Sequence, residues 1–207
     1  MSGRKLGILG GTFDPIHMGH LKMVQAVYEK MGLEKVIFMP AYIAPHKVGM
    51  DFAPAADRYN MTVLATRDCP HFSVSDMELK RSGVSYTYDT LRELQDMYPD
   101  CGLYFIIGAD SVPQLHSWNR ISEMLEIAVF VAAGRPGYSG AARADICSLD
   151  SRCRSRILML DTPEYNISST DIRVRVRKGE SLAGLVPEAV ERYIRDKRLY
   201  IGYEREQ

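Results

Sequence analysis

Short apolar runs alternate along the chain with stretches in which apolar residues recur every three or four positions. Residues 5–9 (KLGIL) form the first run and end at Gly10 and Gly11. From 17 to 31, Met18, Leu21, Val24, Val27, Tyr28 and Met31 mark one face of a helix. Residues 35–40 (KVIFMP) predict a second buried strand closed by Pro40. A helix is expected from near Pro54, since proline suits a first turn. HFSVS (71–75) is a third strand candidate, and TYDTLRELQDMYP (87–99) reads as a helix stopped by Pro99. LYFIIG (103–108) and IAVFVAAG (127–134) are the most β-like stretches, RILML (156–160) a last strand, and VPEAVERYIRDKRLY (186–200) a closing helix. One segment is ambiguous: IRVRVRK (172–178) alternates apolar and basic residues, which is strand periodicity. Ser168 followed by Asp171 makes a capping-box start, however, and Gly179 a fitting stop, so a helix is favoured there.

Continuous apolar strands separated by helices predict an α/β protein: a Rossmann-like doubly wound parallel sheet with helices on both faces. At 207 residues the chain suits a single domain, 1–207, with a small C-terminal helical part over about 166–207. Ligands in such folds sit beyond the carboxyl ends of the strands. Residues 10–20, 108–110 and 134–135 each follow a strand candidate and should gather on one rim. The segment 136–155, rich in Gly, Ser and Arg, is expected to be the most mobile.

Composition narrows the partners. Lys plus Arg and Asp plus Glu both number 26, a balance that argues against non-specific nucleic-acid binding. No run approaches the ~20 apolar residues that cross a bilayer, and no signal-peptide core precedes the first strand. Cys69, Cys101, Cys147 and Cys153 form no C-x-x-C pair and read as reduced thiols. The expectation is a soluble cytoplasmic protein, with no nucleic acid or membrane as partner and homo-oligomerisation left open.

The chemistry concentrates in GILGGTFDPIHMGH (7–20). It is neither a Walker A loop nor a G-x-G-x-x-G turn. Gly10 and Gly11 let backbone amides approach an anion, the helix beginning near His17 points its positive end there, and Thr12 adds a hydroxyl. His17 and His20, three apart, project from one side of the first turn. Such donors can hold a polyphosphate and stabilise charge building on its oxygens. A zinc pair is the competing reading, but two ligands make no zinc site and the Glu of H-E-x-x-H is missing.

GGTFDPIHMGH resembles the signature of the nucleotidylyltransferase superfamily, whose hallmark is the H-x-G-H of His17-Met18-Gly19-His20. ISSTDIR (167–173) resembles the second signature of that superfamily. APHK (44–47), SYTYDTL (85–91), IIGADS (106–111), Trp118, GRPGY (134–138) and the closing LVPEAVERYIRDKRLY are similar to the bacterial nicotinate-nucleotide adenylyltransferases. The likeness runs from about Lys5 to Tyr200 and implies synthesis of deamido-NAD from nicotinate mononucleotide and ATP.

The resemblance also implies roles. Gly10, Gly11, Thr12 and Phe13 would line the dinucleotide and its phosphates, and His17 and His20 would meet the ATP phosphates at the reacting centre. Lys47 would sit in a loop closing over those phosphates. Thr87 would bond the pyridine carboxylate and Trp118 would stack on the pyridine ring. Asn119 follows Trp118 where relatives often carry an aromatic, which implies a grip from one face. Gly108 and Asp110 would lie against the adenosine ribose, and Ser169 and Arg173 would hold the triphosphate from the far side. Arg135 is a weaker phosphate candidate, and 140–156 matches no family pattern. On local sequence alone, Trp118 could be a half-buried core aromatic, Thr87 and Asp110 helix caps, Lys47 a solvated loop charge and Ser169 a surface hydroxyl.

The implied reaction is direct in-line attack by the mononucleotide phosphate, which is already ionised at neutral pH, without a covalent enzyme intermediate. Mg²⁺ would ride on ATP and need no acidic cage in the protein. The alternatives are phosphopantetheine adenylyltransferase, another nucleotidylyltransferase of the superfamily, or a module that binds nucleotide without catalysis.

Overall fold

All six apolar runs expected as strands are strands. The computed structural model describes residues 3–134, 154–163 and 165–201. Strands β1 (Arg4–Gly11), β2 (Lys35–Pro40), β3 (Phe72–Val74), β4 (Cys101–Gly108), β5 (Ala128–Gly134) and β6 (Ile157–Asp161) form one sheet in the order β3-β2-β1-β4-β5-β6. Every pairing is parallel. Helices α1 (Met18–Met31), α2 (Ala55–Thr66), α3 (Met77–Arg81), α4 (Thr87–Met97) and α5 (Ile121–Ile127) connect them. Helices α6 (Ser169–Arg177) and α7 (Glu188–Asp196) follow β6.

Why the strands read as unbroken apolar runs is visible in their packing, because successive side chains enter different cores. Val36 and Phe38 of β2 face one cluster, with Leu9, Val24, Val27, Met61, Ile172, Val190 and Ile194. Ile37 and Met39 face the other, with Leu6, Ile8, Leu91, Leu94, Leu115 and Met124. Strand β1 has β2 on one side and β4 on the other, so the chain reverses its progress across the sheet there. The crevice that opens at this reversal, outside the ends of β1 and β4, is where such sheets bind ligands.

The ambiguous 172–178 segment is helical: Ser168 caps α6 by accepting from the Asp171 N–H at 3.1 Å, and Gly179 leaves it with φ +68°. Ile172 is fully buried while the arginines at 175 and 177 face solvent, so a single buried position outweighs the alternation. Four short elements were not expected from the pattern: α3, α5 and two 3-10 stretches, Pro45–Lys47 and Ala109–Ser117, the second of which carries Pro113. Most of 136–155, including Cys147 and Cys153, lies outside the described residues, as does Arg135. No described helix is long and apolar enough to cross a membrane.

Candidate active site

Strand β1 delivers Gly10 and Gly11 to the crevice. A Cβ on Gly11 would come 2.9 Å from the Phe13 ring, and one on Gly10 would come 3.2 Å from Phe105, so neither position has room for an ordinary side chain. Phe13 itself adopts φ +48°, a left-handed conformation that costs a non-glycine residue of order 1 kcal/mol or more. Its buried ring sets its edge against His20 (centroids 5.4 Å apart, 89°) and packs on Phe38. The strained turn is thus held by core contacts and leaves Thr12 half-buried at the rim.

His17 is the N-cap of α1 and His20 its third residue, and the two cap each other. The Nδ1 of His17 accepts from the His20 N–H at 3.4 Å, and the Nδ1 of His20 accepts from the His17 N–H at 3.3 Å. Their rings stack 3.6 Å apart at 24°. With both Nδ1 atoms accepting, each neutral ring carries its proton on Nε2 and can donate outward from there. Burial lowers the His17 pKa to about 4. His20 is held well below its usual range by burial, then by His17 and Lys47. Both rings are therefore neutral donors at pH 7 in the unliganded protein. Gly19 is explained by the same stack: a Cβ there would lie 3.0 Å from His17 Nδ1.

The far end of the chain closes on this turn. Ser169 Oγ donates to the Pro15 carbonyl at 2.9 Å, and Arg173 donates to the Asp14 carbonyl at 2.7 Å while lying 3.7 Å from its carboxylate. Met18 N–H donates to the Leu185 carbonyl at 2.8 Å. Asp14 is a buried hub: its Oδ1 accepts from the Ala53 N–H at 3.2 Å and from the Tyr200 hydroxyl at 2.8 Å. Ser169 and Arg173 thus reach the first motif through its backbone carbonyls. Arg175, Arg177 and Lys178 are exposed.

Lys47 ends a 3-10 turn, Pro45–Lys47, and is half-buried with its ammonium 5.4 Å above the Phe52 ring. Its pKa is lowered by burial and by Arg173, against an opposing pull from Asp14, which puts it within electrostatic reach of both. The charge gathered here is positive: Lys47, Arg58 and Arg173 around the single carboxylate of Asp14. An anion with several negative oxygens suits such a place.

On the β4 side, Gly108 ends the strand, and a Cβ there would overlap the Asp110 carboxylate at 2.3 Å. Asp110 is exposed beside it. Trp118 is half-buried, set edge-on to Phe105 and Phe130 at centroid distances of 6.3 and 6.2 Å. Asn119 is exposed. Thr87 is the first residue of α4, not its cap; Tyr86 holds the cap position without a side-chain bond. Arg120 lies over the Tyr88 ring, 3.7 Å from its centroid, and pairs with Glu123.

Asp14, Arg58 and Tyr200 were not singled out from the sequence. Arg58 did leave a trace, since it shares the buried stripe of α2 with Met61, Thr62 and Thr66 at helical spacing. Tyr200 left none, because its partner lies at the other end of the chain.

A family model described as cytidylyltransferase-like matches residues 8–175. A probable nicotinate-nucleotide adenylyltransferase of Desulfitobacterium hafniense (strain Y51) is 41% identical over 198 residues, covering 95% of this chain and 96% of its own length. One from Moorella thermoacetica is 43% identical over 198 residues, covering 95% and 91%. The Plasmodium falciparum nicotinic acid mononucleotide adenylyltransferase complexed with NaAD shares the fold, with a TM-score of 0.75 at 18% identity over 95% of this chain and 97% of that one. The glycine turn, the paired imidazoles and the returning Ser169 and Arg173 all lie within the matched span, and the chain belongs to the cytidylyltransferase-like family and, within it, to the nicotinate-nucleotide adenylyltransferases.

Proposed function

We propose that the protein transfers the adenylyl group of ATP to nicotinate mononucleotide, giving deamido-NAD and pyrophosphate in NAD biosynthesis. The observation that carries this reading is the meeting of both signatures at one turn, with Ser169 on the Pro15 carbonyl and Arg173 on the Asp14 carbonyl. A phosphate oxygen of the mononucleotide attacks the α-phosphorus in line. A new P–O bond forms there, the bond to the oxygen bridging to the β-phosphate breaks, and pyrophosphate departs with the electron pair. No group on the protein becomes covalently attached.

The protein's share is positioning and charge. The Nε2–H groups of His17 and His20 donate to phosphate oxygens, while Lys47 and Arg173 offset the charge that accumulates on them. Gly10, Gly11, Thr12 and Phe13 line the nucleotide, Gly108 and Asp110 the ribose, Ser169 the triphosphate, and Thr87, Trp118 and Asn119 the pyridine end. Mg²⁺ enters bound to ATP as part of the substrate. The cationic surroundings of the turn suit phosphate oxygens directly, and its buried carboxylate, Asp14, is engaged by Ala53 and Tyr200.

The test is Mg²⁺-dependent pyrophosphate release from ATP with three acceptors offered in turn: nicotinate mononucleotide, its amide, and phosphopantetheine. Release with the acid nucleotide above both others is the expected result. Preference for phosphopantetheine would move the protein to another branch of the superfamily, and no release with any acceptor would leave a nucleotide-binding module.

A further inference from the structure

One guanidinium sits where three pieces of the site meet. Arg58, on α2, is 2% exposed, yet its nearest neighbours are backbone carbonyls. Its Nε donates to Ala53 at 2.9 Å, one Nη to Thr12 at 2.7 Å and Ala41 at 2.6 Å, and the other Nη to Tyr42 at 2.8 Å. Thr12 lies in the turn after β1. Ala41 and Tyr42 begin the excursion that follows β2, Ala53 ends it, and Lys47 stands between them. The two stems of that excursion have other ties: Ala41 N–H to the Gly11 carbonyl at 2.8 Å, Tyr42 N–H to Ser85 Oγ at 3.0 Å, and Ala53 N–H to Asp14. Among the described residues, Arg58 is the side chain whose hydrogen bonds join both stems and the turn together.

We propose that Arg58 is a positioning residue, which by holding the carbonyls of Thr12, Ala41, Tyr42 and Ala53 locks the Lys47-bearing segment 41–53 to the phosphate-facing turn as one rigid unit. The planar fork of five N–H donors explains why arginine stands there. A lysine brings three donors from one point and cannot span carbonyls on three pieces of backbone. Arg58 does not reach the substrate; it acts through Thr12 and Lys47. This inference rests on the adenylyl-transfer reading for the role of Lys47, and its test reads binding of ATP as well as turnover.

Four proteins are compared: wild type, Arg58→Lys, Lys47→Ala and the double variant. Each is measured for binding of α,β-methylene-ATP and for KM and kcat in pyrophosphate release, at temperatures where circular dichroism shows it folded. Lys47→Ala is expected to weaken binding of the analogue and raise the KM for ATP by roughly tenfold, the size of one lost charge-assisted contact. Arg58→Lys should do the same while leaving the KM for nicotinate mononucleotide near wild type. In the double variant the Lys47 substitution should add little, because an unanchored segment no longer delivers its ammonium. Multiplying effects, or a general fall in folded protein with unchanged constants, would reduce Arg58 to a fold-stabilising residue and overturn the proposal. Should Arg58→Lys fail to fold, side-chain ¹⁵N resonances of wild-type Arg58 decide: separate, slowly exchanging Nη–H signals are expected, and averaged signals typical of exposed arginines would overturn it. Failure of the wild type to bind the ATP analogue would instead count against the adenylyl-transfer reading itself.

Discussion

At position 17 a ring nitrogen does what a hydroxyl or carboxylate does at most helix starts, and protonation would take that acceptor away. The His17 pKa, about 4 in the folded protein against 6.5 for the free side chain, has a definite sign of consequence. Between those values the unfolded chain binds the proton and the folded one does not, so this contribution to stability is complete above pH 6.5 and is lost as pH falls toward 4. The loss amounts to about 2–3 kcal/mol for this group. Urea midpoints measured at pH 7 and pH 4 should show it. His17→Asn, which can cap without titrating, should flatten that part of the pH dependence, and an unchanged slope would place the sensitivity elsewhere. From the sequence, the H-x-x-H spacing put both rings on one side of a first turn, which is how they stand. What it could not reveal is that each ring caps the other, since that depends on χ angles and on the room Gly19 leaves.

Among the elements, α6 shows how local signals compete. Its alternating Ile-Arg-Val-Arg-Val-Arg reads as a strand, and the deciding signals were the cap at Ser168 and the stop at Gly179. Ser168→Ala should cost about 1 kcal/mol, the usual worth of such a cap, visible as a lower urea midpoint. An unchanged midpoint would mean that burial of Ile172 and the bonds from Ser169 and Arg173 to the first motif hold the helix in place without the cap. The long apolar strands were legible because a parallel sheet covered on both sides demands them. Helices α3 and α5 were not, being too short for a 3.6-residue period to emerge, nor was the 109–117 stretch, whose 3-10 winding does not follow that period and which carries Pro113. Trp118 illustrates the limit for single residues: it stands half-buried against Phe105 and Phe130, and composition cannot distinguish a core aromatic from one that also faces a ligand.

Across the molecule, the doubly wound order was foreseeable from alternating strands and helices, and the rim of the site from which loops follow strands. The tie between Asp14 and Tyr200 was not, because nothing local to either residue names a partner so far along the chain. Burial, aided by Asp14, holds the Tyr200 hydroxyl protonated well beyond its ordinary range, so it serves as a permanent donor to that carboxylate. Tyr200→Phe removes the donor and leaves a buried carboxylate one bond short, a change expected to cost about 1–3 kcal/mol in chemical denaturation. Full retention of stability would show that Arg173 and Ala53 suffice to hold Asp14. A ribosome-bound chain that has emerged only as far as β6 already contains every strand of the sheet, yet Asp14 lacks two of its three supports. Competence to grip a nucleotide therefore arrives only after the sheet is complete, when α6, α7 and Tyr200 leave the exit tunnel and dock on a turn translated well before them.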